Sequence, residues 1–248
     1  MIIIKSSEEI AIMRRVGNIV AAILEKLRTE IKAGINTRQL DAIAACELKK
    51  RGAKSSSKGY QGFPAHLCIS VNDEVVHGIP GERVLREGDI VSLDMAASLN
   101  GFHADAAITV GVGEIRSQAE ELLAATEGAL RAGIGAARCG SHLGDISAEI
   151  QRYVETRGFS VIREYAGHGV GRELHEEPQV PNFGFSGEGC LLQPGMTLAL
   201  EPMVAAGGWR TKVANDHWTV LTADGSLSAH FEHSIVITEG EPEILTQL

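Results

Sequence analysis

Apolar residues recur at helical spacing at Ile10, Met13, Val16, Ile19, Val20, Ile23, Leu24 and Leu27, and Ser6 or Ser7 followed by Glu9 supplies an N-cap. The chain therefore opens on an amphipathic helix. A second helix is predicted over 37–50, capped by Asn36 or Thr37 and stopped at Gly52, and two more over 118–131 and 143–156, the last stopped at Gly158. Elsewhere the apolar pattern shortens or alternates, which predicts strands over 66–71, 74–76, 197–204, 218–222 and 229–238. KSSSKGYQG at 54–62, HGIPG at 77–81 and GFSGEG at 184–189 read as loops or turns inside one folded unit.

The most informative stretch is Ile90 to Val110, two strand-like runs joined at Asn100-Gly101, the dipeptide that best signals a two-residue hairpin turn. With those residues in the turn, Leu99 pairs with Phe102, Ala97 with Ala104, Met95 with Ala106, Leu93 with Ile108 and Val91 with Val110. One face is then wholly apolar. The other carries Ser92, Asp94, Ala96 and Ser98 against His103, Asp105, Ala107 and Thr109, because side chains alternate along a strand. Asp94 and Asp105 become diagonal neighbours, roughly 7–8 Å apart at the backbone, with small residues around them. Two like charges there repel unless something cationic lies between them. Neither strand supplies Arg or Lys, which points to a metal ion. Two aspartates on a wet sheet face are the alternative this segment leaves open.

A shift of 106 residues places Gly34 on Gly140, Leu40 on Ile146, Arg51 on Arg157 and Gly52 on Gly158. Both parts read helix, helix, then strands. The expected fold is α+β, a single domain of two similar halves, roughly 1–112 and 113–248, whose strands form one curved antiparallel sheet covered by helices. Chance similarity between amphipathic helices is the competing explanation. A chain of 248 residues, 44% of them apolar, can bury such a core. MIIIKSSEEI is too short in apolar length for a signal peptide or a membrane span, so no membrane and a cytoplasmic location are expected. Cys46, Cys68, Cys139 and Cys190 are scattered without a C-x-x-C pair, which disfavours a disulfide framework or a zinc ribbon. A formal charge of −9 with no Lys/Arg run argues against a nucleic-acid surface.

Three further residues share the oddity of the two aspartates. His168 lies in AGHGVG, where glycines on both sides suggest close backbone approach and an irregular segment rather than a core strand. Glu201 interrupts LALEPMV, in which Leu198, Leu200 and Val204 take one face and Thr197, Ala199 and Glu201 the other. A carboxylate in so apolar a run needs a partner, and Pro202 holds it extended. Glu232 repeats this in HFEHSIVIT, on the face of Ser234. Each alone also fits a structural ion pair. Together, Asp94, Asp105, Glu201, Glu232 and His168 offer four oxygen donors and one nitrogen. Four converging carboxylates cannot all stay ionised without cations, and two divalent ions would balance their charge. The donor set suits Mn, Fe, Co or Zn. Such a pair of ions activates water and polarises a carbonyl, which is hydrolytic chemistry.

YQGFPAHLCISVNDEVVHGIP, GDIVSLDM, GFHADAAITVG, GHGVGRELHEEPQV, LEPMV and SLSAHFEHSIVIT together closely resemble the motifs of the methionine aminopeptidases, bacterial type I, nearly end to end. The resemblance implies the pseudo-twofold pita-bread fold. It implies that Asp94 chelates one metal, His168 and Glu201 the other, and Asp105 and Glu232 bridge both, with Glu201 also the general base for a bridging water. His175 would contact the substrate carbonyl and stabilise its oxyanion, and His77 would sit near the scissile nitrogen. Tyr60, Phe63, Cys68, Leu174 and Trp218 would line the methionine pocket. Leu174 stands where many members have Phe, and Phe63 where Tyr is frequent. The family also binds a monovalent cation through backbone groups that would fall near Asn72, Glu74 and Ser228. His103, His230 and His233 are left as outer donors or as a solvated face.

The implied activity is removal of the initiator methionine from nascent polypeptide N-termini when the second residue is small. A monomer is expected, and a ribosome contact is admitted. Two other readings remain: a proline-specific aminopeptidase or dipeptidase of the same fold, which usually carries an extra N-terminal domain that 248 residues cannot hold, and a metal-free binding paralogue.

Overall fold

Four helices and a central antiparallel sheet carry the fold, and the computed structural model describes all 248 residues. Helix α1 (Ser7–Glu30) begins where the Ser6 hydroxyl accepts from the Glu9 amide and the Glu9 carboxylate accepts from the Ser6 amide. Helix α2 (Thr37–Lys50) begins on the same reciprocal arrangement between Asn36 and Gln39. Helices α3 (Ser117–Ala136) and α4 (Leu143–Glu155) follow later in the chain. The expected end of α3 at 131 is too early. Gly133 lets the helix lie against Ile150 of α4, and this packing outweighs the weak helix propensity of glycine.

The main sheet contains β1 (Lys54–Ser55), β2 (Cys68–Val71), β3 (Ile90–Leu99), β4 (Phe102–Gly111), β5 (Ala166–Gly169), β6 (Glu176–Pro181), β7 (Thr197–Leu200), β8 (Glu232–Val236) and β9 (Glu243–Ile244). Its order is β1-β3-β4-β8-β7-β5-β6, with β2 also beside β3 and β9 also beside β8, and all pairings are antiparallel. The β3–β4 hairpin keeps the predicted register from Leu99–Phe102 to Val91–Val110. Asn100 and Gly101 both have positive φ, 53° and 78°, as a two-residue turn of this hand requires. Val91, Leu93, Met95 and Ala97 are buried beneath α1 and α2. The opposite face is not wet either: Ser92, Ala96, Asp105, Ala107 and Thr109 are all buried.

The later strands depart from expectation. The run 197–204 breaks at Glu201-Pro202, and Met203–Ala205 pairs instead with Ser228–His230 in a separate three-stranded sheet. The run 229–238 breaks at Phe231 for the same reason, since its two parts join different sheets. His168 lies in strand β5, not in an irregular segment. The flanking glycines serve close approach within the sheet: a Cβ on Gly167 would lie 2.4 Å from the Ala199 carbonyl oxygen, and one on Gly169 would lie 2.3 Å from that of Glu177.

Two apolar clusters of 21 buried residues each divide the core, one joining α1 and α2 to β3 and β4, the other joining α3 and α4 to β6, β7 and β8. His142 and Asp145 form a capping box at the start of α4, which the 106-residue shift places on Asn36 and Gln39. Each N-cap residue also makes an isolated bridge, Asn36 with Val84 and His142 with Leu191. No helix is long and apolar enough to cross a membrane.

Two helical glycines should respond oppositely to alanine. A Cβ on Gly17 of α1 would lie 2.0 Å from the Leu245 carbonyl oxygen, whereas one on Gly135 of α3 would meet nothing. Gly135→Ala should stabilise by up to about 1 kcal/mol through helix propensity. Gly17→Ala should destabilise by about 1–3 kcal/mol through overpacking. Urea midpoints measure both, and a stabilised Gly17→Ala would contradict the packing of the C-terminal segment on α1.

Candidate metal centre and adjoining pocket

The hairpin register pairs Asp94 with Ala107 and Ala96 with Asp105, so the two aspartates are diagonal neighbours across alanines. Strand β8 lies beside β4 with Glu232 opposite Ala107, and His168 of β5 lies opposite Ala199 of β7. Glu201 follows the end of β7, where Pro202 removes a backbone donor and the ladder stops. The His168 Nδ1 is 2.9 Å from the carbonyl oxygen of Gly169. A carbonyl only accepts, so Nδ1 carries the proton and Nε2 is left with a free lone pair. That Nε2 is 3.5 Å from Glu201 Oε1. Ligating atoms of Asp105, His168 and Glu232 lie within 4.8 Å of one another.

All four carboxyls are held above their usual range. Burial pushes Asp94 up to about 6. Asp105 is raised well above normal by burial and then by the charge of Asp94. Glu201 is raised by burial and then by Asp105 and Asp94; Glu232 by burial and then by Asp105, Glu201 and Asp94. Asp105 Oδ1 and Glu232 Oε1 are buried without any hydrogen-bond partner. Orphaned carboxylate oxygens among like charges, facing a neutral imidazole, fit divalent cations and fit little else.

These five residues and Tyr60, Phe63, Cys68, His77, Leu174, His175 and Trp218 all line one cavity of about 570 Å³. Phe63, Cys68 and Leu174 are buried, and Trp218 stands edge-on to Phe63 with ring centroids 5.2 Å apart. Cys68 of β2 lies opposite Asp94, and its thiol is held protonated by burial and then by the charges of Asp94 and Asp105. His175 Nδ1 is 2.8 Å from the Tyr60 hydroxyl, and its ring centroid is 4.2 Å from that of His168. Burial, then the charge of His103, lowers the His175 pKa. Burial, then His175, brings His77 down to about 4. His77 also has a left-handed backbone, φ 60°, unusual for a non-glycine residue and a mark of imposed geometry.

The residue that sequence reasoning undervalued is His230. It is 1% exposed, both ring nitrogens lack partners, and its Nε2 is 4.0 Å from Glu201 Oε2 and 4.0 Å from Glu232 Oε2. Alternation along 229–238 already puts His230 on the face of Glu232 and Ser234, and the two keep that common side although the strand breaks at Phe231. His103 instead meets the Ser56 hydroxyl at 2.8 Å, and His233 the Thr246 hydroxyl at 2.9 Å. Glu176, Glu177 and Gln179 also line the cavity, and nothing in their sequence context separates them from surface residues. Near the expected cation segments, the Ser228 amide donates to the Asn72 carbonyl at 2.8 Å, and the Glu74 carboxylate accepts from the Val71 amide.

The description "Metallopeptidase family M24" belongs to a family model that matches residues 11–239. Methionine aminopeptidase 1 of Bacillus subtilis is 52% identical over 248 residues, which is 100% of both chains. A crystal structure of methionine aminopeptidase from Thermotoga maritima superposes with a TM-score of 0.99 at 48% identity, covering 100% of each chain. A prolidase from Pyrococcus furiosus shares the fold alone, with a TM-score of 0.80 at 22% identity over 99% of this chain and 66% of its own.

The raised carboxyl pKa values carry a pH signature. An acid whose folded pKa lies above its unfolded value, about 3.9–4.3, binds protons more tightly when folded. Stability is therefore fully present below about pH 4 and is lost as pH rises from there through the folded values, that of Asp94 being about 6. The chelator-treated protein should weaken over this window, and Mn²⁺ should offset the loss. Paired thermal melts with EDTA and with Mn²⁺ should separate increasingly from about pH 5 to pH 8. A separation that does not change with pH would contradict the reading.

Proposed function

The chain belongs to metallopeptidase family M24, and we propose that it removes the N-terminal methionine from nascent proteins and peptides whose second residue is small. The observation that carries the reading is a shared cavity: the carboxylate–imidazole cluster opens directly onto an apolar pocket. Full-length identity of 52% to a methionine aminopeptidase supports it.

In this reading Asp94 would hold one ion and His168 and Glu201 the other, with Asp105 and Glu232 shared between them. Bound divalent ions, Co, Mn, Fe or Zn, supply Lewis acidity and make water nucleophilic near neutral pH. Glu201, at the end of β7 and facing the cluster, would take a proton from the attacking water and pass it to the departing amine. With the Tyr60 hydroxyl donating to Nδ1, His175 carries its proton on Nε2 and donates to the carbonyl oxygen as charge develops there. Neutral His77 orients the scissile nitrogen. Tyr60, Phe63, Cys68, Leu174 and Trp218 enclose one unbranched side chain, and the thioether of methionine gains sulfur–aromatic contacts with Phe63 and Trp218.

The proposal takes 1–112 and 113–248 as the halves of one catalytic domain, the first giving Asp94 and Asp105, the second His168, Glu201 and Glu232. It includes a cytoplasmic monomer acting on chains as they leave the ribosome, without a nucleic-acid surface of its own; the charge of −9 supports the last point. A monovalent cation near Asn72, Glu74 and Ser228 completes it. The proline-specific reading has only a shared fold in its favour, and the metal-free reading is opposed by the presence of all five ligand positions.

Met-Ala-Ser, Met-Lys-Ser and Ala-Pro-Ser separate the enzyme readings when release of the first amino acid is followed with Mn-loaded protein. Rapid release is expected from the first and little from the others; preferential cleavage of Ala-Pro-Ser would overturn the methionine assignment. His175→Ala should retain metal content, measured by atomic emission, while kcat falls on the order of 10²–10³-fold. Loss of metal with activity would make His175 a ligand instead.

A further inference from the structure

Lys5 is only 5% exposed, a rare position for lysine unless it is paired. Its Nζ donates to Glu176 Oε2 at 2.5 Å and to the Ile3 carbonyl at 3.1 Å. The other oxygen of the same carboxylate, Glu176 Oε1, accepts from the amides of Arg172 at 2.7 Å and Glu173 at 3.3 Å. One carboxylate thus ties the loop that carries Leu174 and His175 to the N-terminal arm. The arm is itself fixed, because the Lys5 amide donates to the Gly195 carbonyl at 2.9 Å. Contact is close enough that a Cβ on Gly171 would lie 2.4 Å from Lys5 Cε. A second tie runs outside it, from Arg172 Nη2 to Glu9 Oε1 at 2.7 Å.

We infer that Lys5 and Glu176 are positioning residues for the substrate-carbonyl donor: the buried pair sets the loop whose end is His175, so residues of the N-terminal arm govern catalysis without touching substrate. This rests on the role given to His175 above. Lys5 neutralises a carboxylate that would otherwise be buried alone, and the neutralised carboxylate orders two successive amides just before His175. Displacing a donor by a fraction of an ångström costs rate, while the metal ligands, held on β3, β4, β5 and β8 and at the end of β7, are unaffected.

The test uses Lys5→Met and the double variant Lys5→Met/Glu176→Gln, which leaves no lone buried charge. Each is made in the wild-type and His175→Ala backgrounds, Mn-loaded, and assayed on Met-Ala-Ser together with metal content and melting temperature. In the wild-type background kcat should fall on the order of 10-fold or more with full metal content. In the His175→Ala background the same change should alter kcat less than about twofold, because its effect passes through His175. Hydrogen exchange at the Arg172 and Glu173 amides should accelerate. A folded variant with wild-type kcat, or equal proportional losses in both backgrounds, would overturn the inference. So would loss of folding in both variants, which would make the pair a stability element. If His175→Ala alone keeps wild-type kcat, the role of His175 fails separately. The positioning claim is then decided by the amide exchange and by the KM for Met-Ala-Ser, and unchanged exchange with an unchanged KM would overturn it.

Discussion

The structure depends on keeping four carboxyl groups together in the middle of a sheet. Two carboxylates about 4 Å apart repel by about 4 kcal/mol at an effective dielectric of 20, a large share of the 5–15 kcal/mol that holds a typical domain folded. No Arg or Lys lines the cavity to relieve this. Protons or bound cations must do so, and the protein is built for one of these. Ala96, Ala107, Ala199 and Gly167 keep the floor of the site low, so the acidic side chains lean inward without steric opposition. Cys68, with its thiol held neutral beside Asp94, adds no further charge.

Irregular backbone solves the geometric half of the problem. A regular sheet alternates its side chains, so five ligands from strands of different direction would not converge without interruptions. A bulge between His168 and Gly169 re-aims the imidazole, and the Gly169 carbonyl fixes its tautomer. The break at Glu201-Pro202 frees that carboxylate from the ladder while Asn182 holds its carbonyl at 3.0 Å. The break at Phe231 lets His230 and Glu232 belong to different sheets and still face the same space.

Where local chemistry decides structure, the sequence was readable. Asn100-Gly101 set the hairpin register, and the capping signals at Ser6 or Ser7 and at Asn36 or Thr37 set two helix starts to within a residue. The four carboxylate candidates stood out because each placed a charge in an apolar run, and His168 because glycines flank it. Short strands such as 166–169 and 176–181 were not readable, since they are rich in glycine or charge and owe their conformation to pairing on both sides. The pairing of Lys5 with Glu176 depends on a contact across 171 residues, which periodicity does not encode.

The remaining wall of the cavity is organised differently from its floor. Tyr60, Phe63, His77, Leu174, His175 and Trp218 sit on turns and loops, and three of the five non-glycine residues with positive φ, Gln61, His77 and His217, lie in or beside them. Such backbone is held only if its surroundings over-determine it. Three of these loops share one device, a carboxylate accepting from two successive amides: Asp41 from His66 and Leu67, Glu176 from Arg172 and Glu173, and Asp216 from Trp218 and Thr219. Hydrogen bonds to a charged acceptor contribute about 1.5–3 kcal/mol each, enough to offset the cost of a strained residue such as Gln61 or His217. The pocket is therefore shaped before substrate arrives. Because the carboxyl-bearing strands β3, β4 and β8 do not share these ties, wall residues such as Leu174 and Phe63 can change while the carboxylate cluster keeps its geometry.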